Sequence, residues 1–342
     1  MTAPRSPRLS DRVVDVTAAA DPVAAVIDAH QRGDRLGLRT SGTSGRPRAV
    51  VRTTASWFDS FEHVTRLLGM GSTSRVWVPG PLAATMNLFA AVHAAQVGAA
   101  VDASPAGATH AVLTPAALSR ALAQGVDLAG VHLLVAGDRL GAVLRDTALT
   151  HGAGRVSHYY GAAELSFVAW GSHADDLRPF PGVEVDCRDG LVWVRSPYVC
   201  LGYDGPDGPL THGADGFVTV GDRGSLRDGI LRLHGRGDET VVTAGATVLV
   251  AEVEAALEEA TGHRVAVVGL PHPDLGQVLC GVVTDRDSLP ALRAGARSSL
   301  PPGHRPRRWF EVPAPPLTAA GKLDREKLAS MLMATEEVRA RA

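Results

Sequence analysis

Between two short apolar runs the chain reads Leu38-Arg39-Thr40-Ser41-Gly42-Thr43-Ser44-Gly45-Arg46-Pro47-Arg48. Glycines at this density let a backbone take positive φ and approach a ligand closely. Successive main-chain N–H groups in such a turn form a nest for anions. Hydroxyls at Thr40, Ser41, Thr43 and Ser44 add donors for phosphate oxygens, and Arg46 and Arg48 add charge. The spacing is not that of a Walker A loop, and a Ser/Gly-rich hairpin turn has the same composition. Four later segments also carry chemistry. His158-Tyr159-Tyr160-Gly161-Ala162-Ala163-Glu164 sets an aromatic and a carboxylate four residues apart at a strand end. Val220-Gly221-Asp222 puts a carboxylate after a β-run, where it could take ribose hydroxyls. Gly235-Arg236-Gly237-Asp238-Glu239 is followed by Gly245 and Glu252-Val253-Glu254, and Leu317-Thr318-Ala319-Ala320-Gly321-Lys322-Leu323-Asp324-Arg325 offers one lysine on a glycine turn. Taken singly, Lys322 reads as a solvated surface lysine and Asp222 as a turn former. Glu164 reads equally well as a carboxylate at a helix N-terminus, favoured there by the macrodipole.

The elements that must position these residues follow from the periodicity. Strands at Arg35–Arg39 and Ala49–Thr53 flank the first loop, after a helix over Thr17–His30. Helices are expected over Ser56–Met70, around Leu88–Gln96, over Pro115–Gln124 and over Leu140–His151. Strands at Arg75–Pro79, Ala111–Leu113, Val131–Val135 and Val156–Tyr160 alternate with them, which points to α/β layering around a parallel sheet. After Pro179, short runs between Asp-Gly and Gly-Asp turns suit an antiparallel β subdomain: Val183–Cys187, Leu191–Arg195, Phe217–Val220 and Ile230–His234. Beyond Gly235–Asp238 come strands at Glu239–Thr243, Arg264–Leu270 and Val278–Thr284. Helices follow at Ala251–Thr261 and Leu289–Leu300, and the end, Met331–Ala342, reads as a frayed helix. That last stretch of about 100 residues is long enough to fold separately.

The chain has 342 residues, about two domains at roughly 150 residues each. Apolar residues make up 45% and charged ones 20%, so wholesale disorder is not expected. Lys plus Arg number 34 and Asp plus Glu 36, a net −2, so no global positive charge would hold a nucleic acid. Cys187, Cys200 and Cys280 form no CxxC pair, which suits packing positions in a reducing cytoplasm. The thirteen histidines show no metal-ligand spacing for structural zinc. The first dozen residues read as a leader without the apolar core of a secretory signal. The most apolar window, Pro79–Val101, is interrupted by Pro81, Asn87, His93, Gln96 and Gly98 and fits a buried helix better than a membrane span.

In their order along the chain, the five segments resemble the motifs of the adenylate-forming superfamily: acyl-CoA synthetases, adenylation domains and luciferases. The first is similar to TSGTTGxPK, the second to YGxTE and the third to TGD. The fourth is similar to GRxDxxI…G…E(I/V)E and the fifth to PxxxxGKxxR. The resemblance implies an α/β fold, with a large N-terminal domain of mixed layered sheets and a β subdomain (1–235). A small mobile α+β C-terminal domain (239–342) would follow, hinged near 236–238. It implies activation of a small carboxylic acid by ATP and Mg²⁺ to an acyl-AMP, then transfer to coenzyme A. By the same resemblance Thr40, Ser41, Gly42, Thr43, Ser44, Gly45 and Arg48 would hold the phosphates, and Tyr160 beside Gly161 would stack on adenine. Glu164 would help to hold Mg²⁺, Asp222 and Arg236 would bind the ribose, Asp238 would sit at the hinge, and Lys322 would be catalytic in adenylation. An ammonium and a divalent cation are the apt stabilisers where a carboxylate attacks an anionic phosphorus.

The sequence departs from the pattern at several points. Arg48 stands for the usual lysine, changing reach and donor geometry. Ala163 stands for the threonine of YGxTE, and Val242 stands where many relatives have lysine. Pro79–Ala84 lacks the usual histidine or aromatic gate. Only 39 residues precede Thr40, which looks like the shortened form of o-succinylbenzoate-CoA ligases and small fatty-acyl-CoA ligase-like proteins. A homodimer is one way to cover surface left by a shorter N-terminus. Two other readings stay open: an acyl-AMP ligase that loads a carrier protein, and a degenerate nucleotide- or acyl-binding protein without turnover.

Overall fold

In a computed structural model, residues 11–40, 48–205, 208–236, 240–243 and 245–341 are described. The first sheet contains β1 (Val13–Asp15), β2 (Arg35–Thr40) and β3 (Arg48–Thr53). Helix α1 (Pro22–Arg32) fits between them for local reasons. Asp21 caps it by accepting from the Ala24 N–H at 3.0 Å, and Pro22 occupies the first turn, where no N–H is needed. Gly33, at φ 71°, ends it in the left-handed conformation. The expected helix over Thr17–His30 is thus corrected: Val16–Ala18 is a short 3-10 turn, and the α-helix starts only after the Asp21 cap.

Helix α2 (Ala55–Leu68) buries Trp57, Phe61, Val64 and Leu68, a stripe at helical spacing. Helix α3 (Thr85–Gln96) is buried all round from Asn87 to Ala94, as expected of a helix between layers. The central sheet contains β4 (Arg75–Trp77), β5 (Ala100–Asp102), β6 (His110–Leu113), β7 (His132–Ala136), β8 (Arg155–Ala162), β9 (Ser166–Gly171) and β10 (Arg178–Pro179). Their order is β10-β9-β8-β7-β6-β4-β5. The pairs from β8 to β5 are parallel, and β9 and β10 add antiparallel strands at one side. Helices α4 (Pro115–Ala123) and α5 (Ala142–Thr150) make the crossovers β6–α4–β7 and β7–α5–β8. Such crossovers bring the carboxyl ends of β6, β7 and β8 to one edge of the sheet.

The antiparallel subdomain contains β11 (Glu184–Arg188), β12 (Leu191–Arg195), β14 (Thr211–His212), β15 (Val218–Thr219), β16 (Asp222–Arg227) and β17 (Ile230–Arg236). Strand β13 (Gly202–Asp204) leaves this group and pairs with β3 in the first sheet. The C-terminal sheet is built from β18 (Thr240–Thr243), β19 (Ala246–Leu249), β20 (Ala266–His272), β21 (Gly276–Val283) and β22 (Arg308–Glu311). Helices α6 (Val250–Thr261), α7 (Leu289–Ser299) and α8 (Arg325–Arg341) complete that unit. Helix α8 begins at Arg325, well before the expected Met331, because Asp324 Oδ1 accepts from the Lys327 N–H at 2.9 Å in its first turn. The buried apolar clusters divide between residues 16–231 and residues 241–332. No helix among the described residues is long and apolar enough to cross a membrane.

Four imidazoles, His93, His110, His132 and His158, are buried among the described residues. Burial pulls His93, His132 and His158 each down to about 4, against the stabilising hydrogen bonds to backbone groups. Their folded values lie below the unfolded one, so the unfolded chain binds more protons and stability falls as pH drops from about 6.5 towards 4. Urea denaturation at about pH 7.5 and about pH 5 is expected to show a loss on the order of 2 kcal/mol from His158 alone. An unchanged midpoint would contradict neutral buried imidazoles.

Candidate active site

The first loop is held at its two ends. Thr40 and Arg48 are directly opposite in the antiparallel β2–β3 ladder, so the strands present the intervening segment as their connection. Ser41, Gly42, Thr43, Ser44 and Gly45 lie outside the described residues, as do Arg46 and Pro47.

The second motif ends β8. A register shift falls between Tyr160 and Gly161, where β8 pairs with β9. A side chain at Gly161 would run into the Ser166 carbonyl, so only glycine lets the two backbones come together. Glu164 sits in the turn between β8 and β9, not at a helix N-terminus, so the macrodipole reading is corrected. Its side chain is buried, and its Oε1 accepts from the Tyr203 hydroxyl at 3.0 Å. Burial and the Glu164 charge together push the Tyr203 phenol up.

Behind this turn lies Arg52 of β3, fully buried. Its guanidinium donates to the Ala163 carbonyl at 3.2 Å, to Ser56 Oγ at 2.9 Å and to the Tyr198 carbonyl. Burial lowers its pKa to about 10, opposed by Cys200 and Glu164. It therefore stays charged at neutral pH, and the Ala163–Glu164 turn rests on a buried cation. Of the three cysteines, Cys200 and Cys280 are buried and Cys187 is half-buried.

The third and fourth motifs meet the second. Tyr160 donates its hydroxyl to Asp222 Oδ2 at 2.6 Å. Asp222 opens β16 directly after Gly221, whose φ of 83° makes the turn. Asp222 also stands opposite Arg236 in the β16–β17 ladder, which brings candidate residues of two successive motifs to one strand pair. Asp238 lies outside the described residues.

The fifth motif is a tight turn. Gly321 N–H donates to the Thr318 carbonyl at 2.9 Å, and the Thr318 N–H donates to the Lys322 carbonyl at 2.8 Å. Gly321 takes φ 76°, as such a turn requires. The base of the turn is tied to α6, since Arg325 forks onto Glu254 at 2.7 and 3.0 Å. The tip crosses to the central sheet. Thr114, which follows β6 and caps α4 through the Ala117 N–H, donates its hydroxyl to the Gly321 carbonyl at 2.7 Å. Lys322 Cε lies 3.4 Å from the position a side chain on Gly137 would take, just beyond β7. Among the described residues the exposed ammonium of Lys322 has no hydrogen-bond or ion-pair partner. An unpaired cation thus stands at the carboxyl ends of β6 and β7, beside the strand that carries Tyr160. No direct contact joins Lys322 to Glu164 among the described residues.

The family profile of the AMP-binding enzyme matches residues 38–204, and that of the AMP-binding enzyme C-terminal domain matches residues 252–322. The chain belongs to the adenylate-forming enzymes. It is 27% identical to the uncharacterized acyl-CoA ligase YhfT of Bacillus subtilis, covering 95% of this chain and 74% of that protein. It is 28% identical to a probable 2-succinylbenzoate-CoA ligase of Mycobacterium tuberculosis, over 86% of this chain and 83% of that one. Among solved structures it is similar to a variant of Escherichia coli MenE with bound OSB-AMS. That match has a TM-score of 0.73 at 25% identity, covering 87% of this chain and 68% of that one.

Within this adenylate-forming fold, sequence reasoning missed Arg52, Thr114, Gly137 and Tyr203, which frame the site without belonging to its glycine-marked motifs. Thr114 had one visible signal, since Thr followed by Pro at the first helical position marks a helix cap. A buried arginine in a β-run gave none. Arg52→Met leaves the Ala163 and Tyr198 carbonyls without their donor, a loss expected to cost about 2–5 kcal/mol of folding stability. Chemical denaturation checks this, and a cost below about 1 kcal/mol would show that Arg52 is not needed to hold the turn.

Proposed function

We propose that this enzyme activates a carboxylic acid with ATP and passes the acyl group to coenzyme A. In the first step a substrate carboxylate oxygen attacks the α-phosphorus, the acyl–AMP bond forms, and pyrophosphate leaves. In the second a thiolate attacks the acyl carbonyl, a thioester forms, and AMP leaves. The observation that carries this reading is the Lys322 ammonium, without a partner among the described residues and docked through Thr114 at the carboxyl ends of β6 and β7, next to β8, whose Tyr160 bonds to Asp222. Lys322 would lie between the carboxylate and the α-phosphate, where two anions approach and fixed positive charge lowers the barrier most.

The other residues take complementary roles in this reading. Asp222 and Arg236 would receive the ribose, Tyr160 with Gly161 would flank adenine, and Thr40 to Gly45 with Arg48 would take the outer phosphates. Among the described residues no group of three metal-ligating side chains could hold an ion alone. Glu164 would then be a single protein ligand, with phosphate oxygens and water supplying the rest, an arrangement that suits Mg²⁺. Bound Mg²⁺ would neutralise phosphate charge. The segment 236–238, between the two groups of core clusters, would serve as the hinge that separates the half-reactions. We assign the acid to an aromatic or fatty class, with 2-succinylbenzoate the first candidate from the names of the relatives, in a cytoplasmic setting where ATP and coenzyme A are available. A carrier-protein thiol is the alternative acceptor, read by offering it in place of coenzyme A, and size-exclusion chromatography would read a homodimer.

Lys322→Ala is expected to lower acid-dependent ATP–pyrophosphate exchange by about 100-fold or more. Transfer from a supplied acyl-adenylate to coenzyme A should persist. Equal loss of both activities would count against this assignment, and no exchange with any acid in the parent enzyme would indicate a binder without turnover.

A further inference from the structure

Helix α6 faces the N-terminal sheets through two carboxylates. Glu252 meets His234 Nδ1 at 3.2 Å, and Glu258 meets Arg139 Nη1 at 3.0 Å. The second contact is the more enclosed: the Glu258 side chain is 14% exposed. The other arm of Arg139 holds Asp175 at 2.8 Å, so the guanidinium is fixed from its own side before Glu258 arrives. The Glu258 carboxylate fills the space over Gly141, where a Cβ would overlap both of its oxygens. Gly141 has φ −73° and ψ 160°, an extended conformation that any residue adopts. Its backbone does not require glycine; the room for Glu258 does.

We infer that Arg139, Gly141 and Glu258 form a latch that holds the C-terminal unit in the one orientation that brings Lys322 to the strand ends. They are positioning residues, and the inference rests on the two-step reaction proposed above. The latch shares its segment with the docking point, because Arg139 and Gly141 follow closely on Gly137, against which Lys322 lies. Its chemistry suits a contact that must also open. Glu258 Oε1 is buried with no hydrogen-bond partner among the described residues, so part of the ion-pair attraction is offset by lost hydration. Release to water restores that hydration, and rotation of the unit costs less than breaking a fully satisfied buried pair.

Gly141→Ala tests this directly. The methyl is compatible with the backbone of α5's first turn, and the flexible Glu258 side chain can yield only by leaving Arg139. Pyrophosphate exchange should fall by about tenfold to a hundredfold, while transfer from a supplied acyl-adenylate to coenzyme A stays within about twofold. Glu258→Ala should lower exchange likewise, and adding Gly141→Ala to it should cost nothing further, because the methyl then has nothing to displace. Amide hydrogen exchange gives a readout independent of catalysis. Residues 317–323 should exchange faster in Gly141→Ala than in the parent chain, with residues 110–113 unchanged. Should the parent enzyme prove inactive with every acid, the proposed reaction fails and the latch is judged on hydrogen exchange alone. Equal loss of both half-reactions, additive losses in the double variant, or unchanged exchange at residues 317–323 would overturn it.

Discussion

One hydrogen bond, from the Thr114 hydroxyl to the Gly321 carbonyl, ties the C-terminal turn that carries Lys322 to the central sheet. Thr114 is fixed because it also caps α4, and α4 is fixed by the crossover between two parallel strands. Gly321 is fixed by a turn that only a positive φ closes, tied at its base to α6 by Arg325 and Glu254. A lysine that would otherwise wave in solvent is thereby placed within a few ångströms of a defined backbone position. Positioning of this kind is what lets a single ammonium act on a reaction centre.

The opposing side of the site is organised by buried charge. Arg52 lies under the Ala163–Glu164 turn, and Tyr203 bonds to the Glu164 carboxylate from another strand. Burying these groups costs solvation, which the surrounding hydrogen bonds offset. The result is a carboxylate held in one place at the sheet edge. The Tyr160–Asp222 bond does the same for the neighbouring acidic group, since it links the central sheet to the antiparallel subdomain. Three sheets packed on one shared core thus contribute one wall each.

Much of this was legible in the sequence because the described motif residues sit at turns or at the strand ends beside them, where glycine and hydroxyl side chains have recognisable reasons to occur. The β2–β3 hairpin, the parallel sheet and the buried α3 all followed from periodicity. Several strands did not. Ser166–Gly171 follows its partner after a turn of only a few residues, and Gly202–Asp204 is a brief return to the first sheet. Arg308–Glu311 is hidden among arginines and prolines, and its pairing with β21 is parallel and remote. Long-range partners were the least visible. Nothing local ties Glu254 to Arg325, Glu258 to Arg139 or Arg52 to Ala163, because each pair is brought together only by packing of the whole chain.

The central claim is that the C-terminal lysine and the two acidic residues of the N-terminal sheets surround one nucleotide. A crystal structure of the enzyme with a non-hydrolysable acyl-adenylate mimic tests it most directly. The account predicts the ribose on Asp222, with Lys322 Nζ within hydrogen-bond reach, about 3 Å, of the group that replaces the phosphate. A mimic bound away from Asp222, or seated there with Lys322 pointing elsewhere, would contradict it.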